Sequence, residues 1–426
     1  MSKENCRVWF FNQNSYLPED GPHTRTFTMG KYMIPDGFVP FVFAGNELHH
    51  VGRTVDTEGK LFLEKIREGV HFFYIKTTPY HKNDFRRILN MVSYYRNLFR
   101  VSKAVAKEYG KPDIIYASSM YPTALLAGVK IAKKYRIPCI CENRDLVPDG
   151  FISDGTIKKN GLIARAASKF MKKVLYRANA IVFTMEGGRQ YIIDHKWDTA
   201  QGGKIDLKNV YYINNGVDLD EYRKNENEFI LEDTDLDDPE CFKVVYFGAV
   251  RLMNQMSVFV DTAKILKEKE PEKKIKILIW GAGTKLEEMQ NRLKEAGLTN
   301  IVFKGYVDKR YIPGIAKRAD LFIGTGNSCS VGKYGMSFNK LFDYLAAGKP
   351  VILPYKVAYS IVEKNGAGVE LEETSAEKLA EEVLRFCRMD KAEYEAYCSR
   401  SKKTAEEFDY RKLTAKAEEI IGNLQG

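Results

Sequence analysis

Short apolar runs alternate with longer helix-like stretches through the first half of the chain. Seven of these runs have the continuous β-branched and aromatic composition of strands that are buried on both faces. They cover residues 7–11, 39–44, 72–75, 113–117, 137–142, 180–184 and 210–213. Strands that alternate with helices form βαβ units, so this half of the chain predicts a parallel sheet covered by helices.

The same pattern restarts after an acidic stretch at residues 225–240 that contains no comparable run. Five further runs cover residues 243–249, 276–280, 301–304, 320–323 and 350–353. Two such series predict two doubly wound α/β domains, and 426 residues exceed the length that one core usually serves. The expected organisation is a first domain at 1–215, a linker at 216–242, a second domain at 243–405 and a C-terminal helix at 406–426 that returns to the first domain.

The composition is that of an ordinary globular protein, with 44% hydrophobic and 29% charged residues. Its seven cysteines form no CxxC pair and no Cys/His cluster at zinc spacing, so we predict neither disulfides nor a structural metal. The start, MSKENCRVWFF, lacks a leader pattern, and no run approaches the ~18 apolar residues of a membrane span. These features predict a soluble, cytoplasmic protein whose membrane contact is at most peripheral.

The positive charge is concentrated in the first half. Residues 1–222 hold 33 Lys and Arg against 23 Asp and Glu, whereas residues 223–426 hold 33 of each. The excess indicates an anionic partner such as phospholipid, a pyrophosphate-linked acceptor or nucleic acid, unless the lysines serve only solubility. No motif of a nucleic-acid-binding module is present, which disfavours the last of these. A basic amphipathic segment at 156–177 can lie on anionic lipid at the inner face of the cell membrane, pack on the sheet, or do both.

Glycines follow the apolar runs of the second half. Gly248, Gly281, Gly283 and Gly305 stand just after three of them or at their ends. Ligands of open α/β sheets bind beyond the carboxyl ends of the strands, and glycine lets the backbone approach a ligand closely. Turn formation alone would also explain each glycine.

The segment CSVGKYGMSFNKLFDYLAAGKPVIL at 329–353 predicts a helix between a turn and a strand. Ser337 can cap the start of this helix and Gly348 can end it. Free amides at a helix start bind phosphate, and Lys340 in the first turn opposes the helix dipole unless an anion binds there. We therefore predict that residues 335–348 hold a diphosphate, although Lys340 could also simply point into solvent.

Several motifs together resemble the retaining glycosyltransferases of family 4, which have the GT-B fold. They are NKLFDYLAAGKPVI, NNGVD at 214–218, GAVR at 248–251, WGAG at 280–283 and KGYV at 304–307. CENRDLVPDG at 141–150 is similar to a segment of the bacterial surface-polysaccharide members, which make capsule or O-antigen, and LPEDGPHTR at 17–25 is similar to the family's N-terminal glycine loop. The resemblance implies two Rossmann-like domains that face each other across a cleft.

The resemblance also implies a reaction. A sugar would move, with retention, from a nucleotide diphosphate, most often UDP, to a hydroxyl of a lipid-linked or polysaccharide acceptor, with no metal or other cofactor. Two alternatives stay open: a nucleotide-sugar 2-epimerase of the same fold, and a subunit that binds nucleotide sugar while its partner does the chemistry. The epimerase would need carboxylate acid and base groups around the sugar.

Site residues follow from positions that match the family motifs. The residues expected to carry the chemistry are Arg251, Lys340, Arg144 and Asp145. The expected donor-binding set is Gly248, Asn254, Gln255, Gly281, Gly283, Tyr306, Val307, Gly335, Met336, Ser337, Phe338, Asn339 and Asp343. The expected acceptor-binding set is Gly21, Arg25 and Glu142.

The resemblance also implies individual roles. The guanidinium of Arg251 matches the family's diphosphate clamp, because its fork binds phosphate oxygens bidentately. Tyr306 and Val307 are expected along the base, and Asp343 at the ribose hydroxyls.

Three positions depart from the family pattern. Gly335 stands where the first glutamate of a paired-glutamate motif is expected, eight residues before Asp343. Met256 replaces the lysine that usually follows the diphosphate arginine, and Arg144 replaces a histidine near the sugar. The resemblance therefore supports the phosphate site more firmly than the sugar contacts, and Asn254, Gln255 and Lys340 are the candidates to replace the missing lysine.

Overall fold

The computed structural model describes residues 5–48, 51–80, 84–119, 121–250, 256–326 and 330–425. The chain forms two compact units. The first unit extends to Asn214 and takes in the chain again from Tyr410, and the second comprises Asn215–Asp409.

The first unit is built on an eight-stranded sheet with the order β10-β9-β8-β7-β1-β2-β6-β5. Its strands, with the small antiparallel pair β3 and β4, are β1 Cys6–Phe11, β2 Phe38–Gly45, β3 Glu47–Leu48, β4 Arg53–Thr54, β5 Phe62–Arg67, β6 Val70–Ile75, β7 Ile114–Ser119, β8 Cys139–Asn143, β9 Ala180–Phe183 and β10 Val210–Tyr212. Its helices are α1 Arg25–Met33, α2 Phe85–Tyr109, α3 Pro122–Tyr135, α4 Asp149–Ser153, α5 Leu162–Leu175, α6 Gly188–Asp194 and α15 Tyr410–Gln425.

All seven strands expected in this unit are present and parallel, with ends within two residues of prediction. Besides the two-residue strands β3 and β4, the apolar pattern missed β5, which pairs antiparallel with β6 at the edge of the sheet. Three of the six residues of its sequence FLEKIR are charged and none is fully buried, as an edge strand allows.

The second unit is built on a six-stranded parallel sheet with the order β13-β12-β11-β14-β15-β16. Its strands are β11 Phe242–Phe247, β12 Ile275–Trp280, β13 Ile301–Gly305, β14 Leu321–Ile323, β15 Val351–Leu353 and β16 Gly368–Glu370. Its helices are α7 Leu219–Glu228, α8 Ser257–Lys269, α9 Leu286–Glu295, α10 Ile312–Lys317, α11 Asn339–Ala346, α12 Ile361–Lys364, α13 Ala376–Arg388 and α14 Lys391–Glu407. The five expected strands are present, and the short β16 was not predicted. Both sheets are doubly wound, as the sequence predicts.

The segment expected as a linker at 216–242 belongs to the second unit. It contains α7 and an acidic turn that is tied to the sheet by ion pairs. Lys304 lies 2.7 Å from Asp233 and 2.6 Å from Asp235, and Lys276 lies 2.5 Å from Asp235. These pairs neutralise acids that the sequence alone leaves unpartnered, and so they dock the segment on β12 and β13.

Candidate functional site

The strand order of the second unit reverses between β11 and β14. From β11 the chain proceeds outward to β12 and β13, and then returns to add β14, β15 and β16 on the other side. The connections that follow β11 and β14 therefore diverge to opposite sides, which leaves a crevice at the carboxyl ends of these two strands. Such a switch point is where open α/β sheets bind their ligands.

Three expected donor-binding glycines pack the loops at this edge. Gly248 donates to the carbonyl of Trp280 at 2.9 Å, and Gly281 donates to that of Gly305 at 2.7 Å. A Cβ at Gly281 would overlap the carbonyl oxygen of Gly248, and one at Gly283 would overlap that of Val250. Glycine is therefore required at positions 281 and 283 to stack these loops, and contact with a nucleotide remains a prediction for all three glycines.

The ammonium of Lys340 lies at the switch point. Its Nζ donates to the hydroxyl of Tyr246 at 2.9 Å and lies 4.4 Å from the centre of that ring. The same hydroxyl is 3.3 Å from Oγ1 of Thr325, at the end of β14. A Cβ on Gly248 would come within 2.5 Å of the ammonium, so glycine leaves room for it.

The motif NKLFDY divides into buried and accessible side chains. Leu341, Phe342, Tyr344 and Leu345 are buried against the second sheet. The hydroxyl of Tyr344 accepts from the backbone amide of Phe247 at 3.0 Å, and its ring stacks on a neighbouring phenylalanine. These contacts fix the second half of α11 beside the end of β11.

The start of α11 differs from the prediction. The helix begins at Asn339, its N-cap is Phe338, and no side chain caps it. The prediction that Ser337 is the cap is therefore wrong: its hydroxyl and carbonyl accept from the amide and side chain of Asn215, at 3.4 and 2.9 Å. Because the first amides of a helix lack intrahelical partners, an uncapped start next to a cation favours an anion.

Gly335 and Met336 shape the turn that leads into α11. Gly335 has φ 96° and ψ −172°, a conformation that is essentially restricted to glycine. The glutamate of the family motif therefore cannot stand there without a change of backbone. Met336 is 5% exposed and belongs to the core, and so does Met256, which is 3% exposed at the position of the missing family lysine.

A cavity of about 170 Å³ opens beside Lys340. Its lining comes from the ends of β14 and β15 and from the first two turns of α11, including Thr325, Phe338 and Tyr344. The cavity therefore has room for a phosphate group next to the ammonium. Phe338, which is 41% exposed, stands at its rim.

Asp343 points to a different part of the second unit. Its carboxyl lies near Lys309 and Glu221, and burial raises its pKa, with Glu221 acting in the same direction and Lys309 opposing. Among the described residues, no side chain donates a hydrogen bond to it. Tyr306, 78% exposed, and the half-buried Val307 belong to the same loop as Lys309. This grouping is compatible with the expected base and ribose contacts, which no ligand tests.

Arg251, Asn254 and Gln255 lie outside the described residues. Of the two cations expected to bind the diphosphate, Arg251 and Lys340, only Lys340 belongs to the described residues. Among the described residues, no group of three or more His, Cys, Asp or Glu side chains is placed to hold a metal ion. Within the same part of the chain, no helix combines the length and the apolar character that crossing a membrane requires.

The expected acceptor residues Arg25 and Glu142 pair with each other inside the first unit. The Arg25 guanidinium lies 2.6 Å from the Glu142 carboxylate, and both are buried. Although burial opposes the charged form, Arg25 holds the pKa of Glu142 below its ordinary value. The hydroxyls of Tyr116 and Ser118 also donate to this carboxylate, at 2.8 and 2.5 Å.

The guanidinium also donates to the carbonyls of Ile213 and Asn214, at 3.0 and 2.6 Å. The pair thus connects α1, β7, β8 and the end of β10. With these groups satisfied by the protein itself, the arrangement favours a structural role over contact with an acceptor.

The remaining first-unit candidates lie in loops at the carboxyl edge. Arg144 is half-buried and Asp145 exposed, directly after β8. A Cβ on Gly21 would collide with the ring of Tyr16 and approach Val51, so this glycine is needed for packing. The structure leaves Arg144 and Asp145 accessible, and their role remains a prediction.

Sequence reasoning missed three residues of the second-unit site: Tyr246, Thr325 and Asn215. Asn215 belongs to the NNGVD motif and could have been named, because a polar pair after a strand is typical of a site edge. Tyr246 lies inside the buried run KVVYF, where nothing marks its hydroxyl as a partner for Lys340.

Two doubly wound units, one of which holds a cation and an uncapped helix start at its switch point, are typical of nucleotide-dependent group transferases of the two-domain type. Two family models agree with this class. The description "Glycosyltransferase Family 4" matches residues 21–221, and "Glycosyl transferases group 1" matches residues 241–389. The protein is a glycosyltransferase with one of these domains in each half of the chain.

Individual relatives are more distant. A mannosylfructose-phosphate synthase of Agrobacterium fabrum is 26% identical over 117 residues, which are 26% of this chain and 24% of that enzyme. The match thus spans about a quarter of the relative. HepE of Anabaena, solved in complex with UDP, has a TM-score of 0.65 at 15% identity and covers 98% of this chain and 100% of that chain. A trehalose-6-phosphate protein of E. coli, bound with UDP-2-fluoro glucose, has a TM-score of 0.69 at 12% identity, with 98% and 99% covered. The structural likeness confirms the GT-B fold.

Proposed function

We propose that the protein transfers a sugar, with retention, from a UDP-sugar to a hydroxyl of a lipid-linked or polysaccharide acceptor in surface-glycan synthesis. The observation that carries the donor part is the Lys340 ammonium at the uncapped start of α11, beside a cavity with room for a phosphate group. The UDP ligands of the solved structures with the same fold support the choice of nucleotide. The similarity of 141–150 to surface-polysaccharide enzymes supports the choice of acceptor.

The proposed chemistry is charge stabilisation at the leaving group. The bond between the anomeric carbon and the diphosphate oxygen breaks, positive charge develops on the sugar, and negative charge grows on UDP. Lys340, the amides of Asn339 and Lys340, and Arg251 would meet that charge, so protein cations take the place that a metal has in other transferases. The acceptor hydroxyl forms the new bond to the anomeric carbon, and its proton passes to the departing diphosphate.

Nucleotide and sugar would be held by different means. Tyr306, Val307 and Asp343 are the proposed base and ribose contacts. Because Gly335 cannot be replaced by the family's glutamate in this backbone, the sugar needs other partners. Arg144 and Asp145, after β8, are the proposed ones. The acceptor would be reached at the inner face of the cell membrane.

Incubation of the full chain with UDP-glucose and other UDP-sugars, without acceptor, separates this function from its alternatives. We expect slow release of UDP, because water replaces the acceptor, and a retained anomeric configuration in the free sugar. Isomerised nucleotide sugar would instead identify an epimerase. Binding of UDP-sugar with neither product would identify a binding subunit.

A further inference from the structure

Three helices of the first unit lie side by side on one face of its sheet. Helix α3 packs between α2 and α5. The connections through these helices all proceed towards β10, whereas the connection through α1 proceeds the other way. Right-handed crossovers therefore place α1 on the opposite face, and α15 packs against it there. The outer side of α2, α3 and α5, here called the basic layer, is one continuous surface.

The basic layer is almost devoid of acids. Helices α2, α3 and α5 contain six, three and four Lys and Arg residues, and their one acid is Glu108 near the end of α2. On the opposite face, α1 and α15 contain five basic residues and two acids, and the basic residue Arg25 is buried against Glu142. The positive charge of the first unit is thus concentrated on one face.

Large apolar side chains are exposed on the first turns of α2. Phe85, Ile88, Leu89 and Val92 are 65%, 62%, 46% and 41% exposed. Their spacing of i, i+3, i+4 and i+7 makes them one stripe on the helix. The same face continues towards the carboxyl end with exposed basic side chains, at positions 96, 100 and 103.

The first turn of α5 repeats this arrangement. Leu162 and Ile163 are 83% and 70% exposed, whereas Val174 and Leu175 at the other end of the helix are buried. The apolar set expected in 156–177 is therefore divided between packing on the sheet and exposure. Since α2 and α5 both follow strands of one parallel set, their first turns lie at the same edge of the sheet.

We propose that the first turns of α2 and α5 insert into the surface of an anionic phospholipid bilayer while the basic layer contacts the lipid phosphates. Six of the twelve large apolar side chains that are exposed in the described residues belong to these two turns. Apolar side chains backed by Lys and Arg characterise surface-bound membrane helices. An interface with a second copy of the same face would oppose two acid-poor surfaces, which charge repulsion disfavours.

The proposed membrane surface includes α2 in addition to the segment 156–177 that the sequence indicates. It rests on the proposed function only for the lipid nature of the acceptor. Membrane binding is measured without any substrate, so its failure would leave donor chemistry untouched. Conversely, an inactive protein could still bind lipid.

The test is sedimentation of the full chain with vesicles of phosphatidylcholine, with and without one third phosphatidylglycerol. We expect wild-type binding only to the anionic vesicles, weakening as salt rises. Replacing Arg96 and Arg100 by Gln should weaken it about fivefold for each arginine. Replacing Phe85 and Leu89 by Ser should weaken it at least about tenfold, since their apolar surface leaves the lipid.

Matched controls come from exposed side chains of the same unit outside the layer. Ile66→Ser removes an apolar side chain that is 62% exposed on β5, and the pair Lys60→Gln and Lys208→Gln removes two exposed charges. We expect both controls to bind like the wild type, with unchanged unfolding temperatures throughout. Equal binding to neutral vesicles, equal loss in the controls, or self-association that disappears with Phe85→Ser and Leu89→Ser in place of lipid binding would each overturn the proposal.

Discussion

The carboxyl edges of the two sheets use charge in opposite ways. In the first unit, Arg25 is buried against Glu142 and two backbone carbonyls, so its charge is neutralised inside the protein. In the second unit, Lys340 contacts a neutral hydroxyl and a ring next to an open cavity. A cation whose partners are neutral can still bind an anionic ligand. In a buried ion pair, the two charges already neutralise each other and are not available to a ligand.

The charge balance of the two units extends this contrast. The first unit contains 36 Lys and Arg against 22 Asp and Glu, and the second contains 30 against 34. The basic unit thus carries its excess on the outside, in the basic layer, while the slightly acidic unit keeps a cation at its switch point. Overall charge therefore indicates the proposed membrane surface, and local geometry indicates the nucleotide site.

The largest expected effect concerns the buried pair. Glu142→Leu leaves the Arg25 guanidinium buried without a counter-charge, and we expect a loss of roughly 3–5 kcal/mol in the free energy of unfolding of the first unit. The double variant Arg25→Met with Glu142→Leu should recover only part of this loss, because it removes the unpaired charge but also the partners of two buried carbonyls and two buried hydroxyls. Urea unfolding, monitored by hydrogen exchange of the β8 amides, measures the stability of the single and of the double variant. Equal stability of the single variant and the wild type would show that the pair is not the structural link described.

The next effect concerns the cation of the second unit. Lys340→Met should lower turnover by roughly 10²–10³-fold, the loss that follows removal of one charge-stabilising group. Its stability should change by no more than about 0.5 kcal/mol, because within the described part of the chain this side chain contacts a hydroxyl and a ring and no buried counter-charge. Steady-state UDP release and urea unfolding give the two numbers. Lys349→Met, at the other end of the same helix, is the control and should retain wild-type turnover.

A smaller effect is expected at Gly335. Gly335→Glu adds the carboxylate of the family motif, but its positive φ should cost about 1–3 kcal/mol of stability and move the turn that leads into α11. We therefore expect activity to fall rather than rise, with Gly335→Ala showing a similar loss. A gain of activity in Gly335→Glu alone would mean that the turn can adopt the family conformation.

The strands were predictable because each buried strand is itself an apolar run, as in Val244 to Phe247. The edge strand β5 was not, since charged residues interrupt its apolar positions and none of its side chains is fully buried. Lys340 was predictable from its place in a helix start. The pairing of Arg25 with Glu142 was not, because 117 residues separate them and each looks, by itself, like a ligand-binding charge. Nor was the choice of Phe338 over Ser337 as N-cap, which depends on where Asn215 lies.

The most direct test of the account is a calorimetric titration of UDP, and separately of uridine, into the wild type, Lys340→Met and Lys349→Met. If the diphosphate lies at Lys340 and the start of α11, Lys340→Met should bind UDP about ten- to a hundredfold more weakly, which equals one charged hydrogen bond of roughly 1.5–3 kcal/mol. Uridine, which has no phosphate, should bind all three proteins alike, and Lys349→Met should bind UDP like the wild type. Unchanged UDP affinity in Lys340→Met, or an equal loss for uridine, would contradict the placement of the diphosphate.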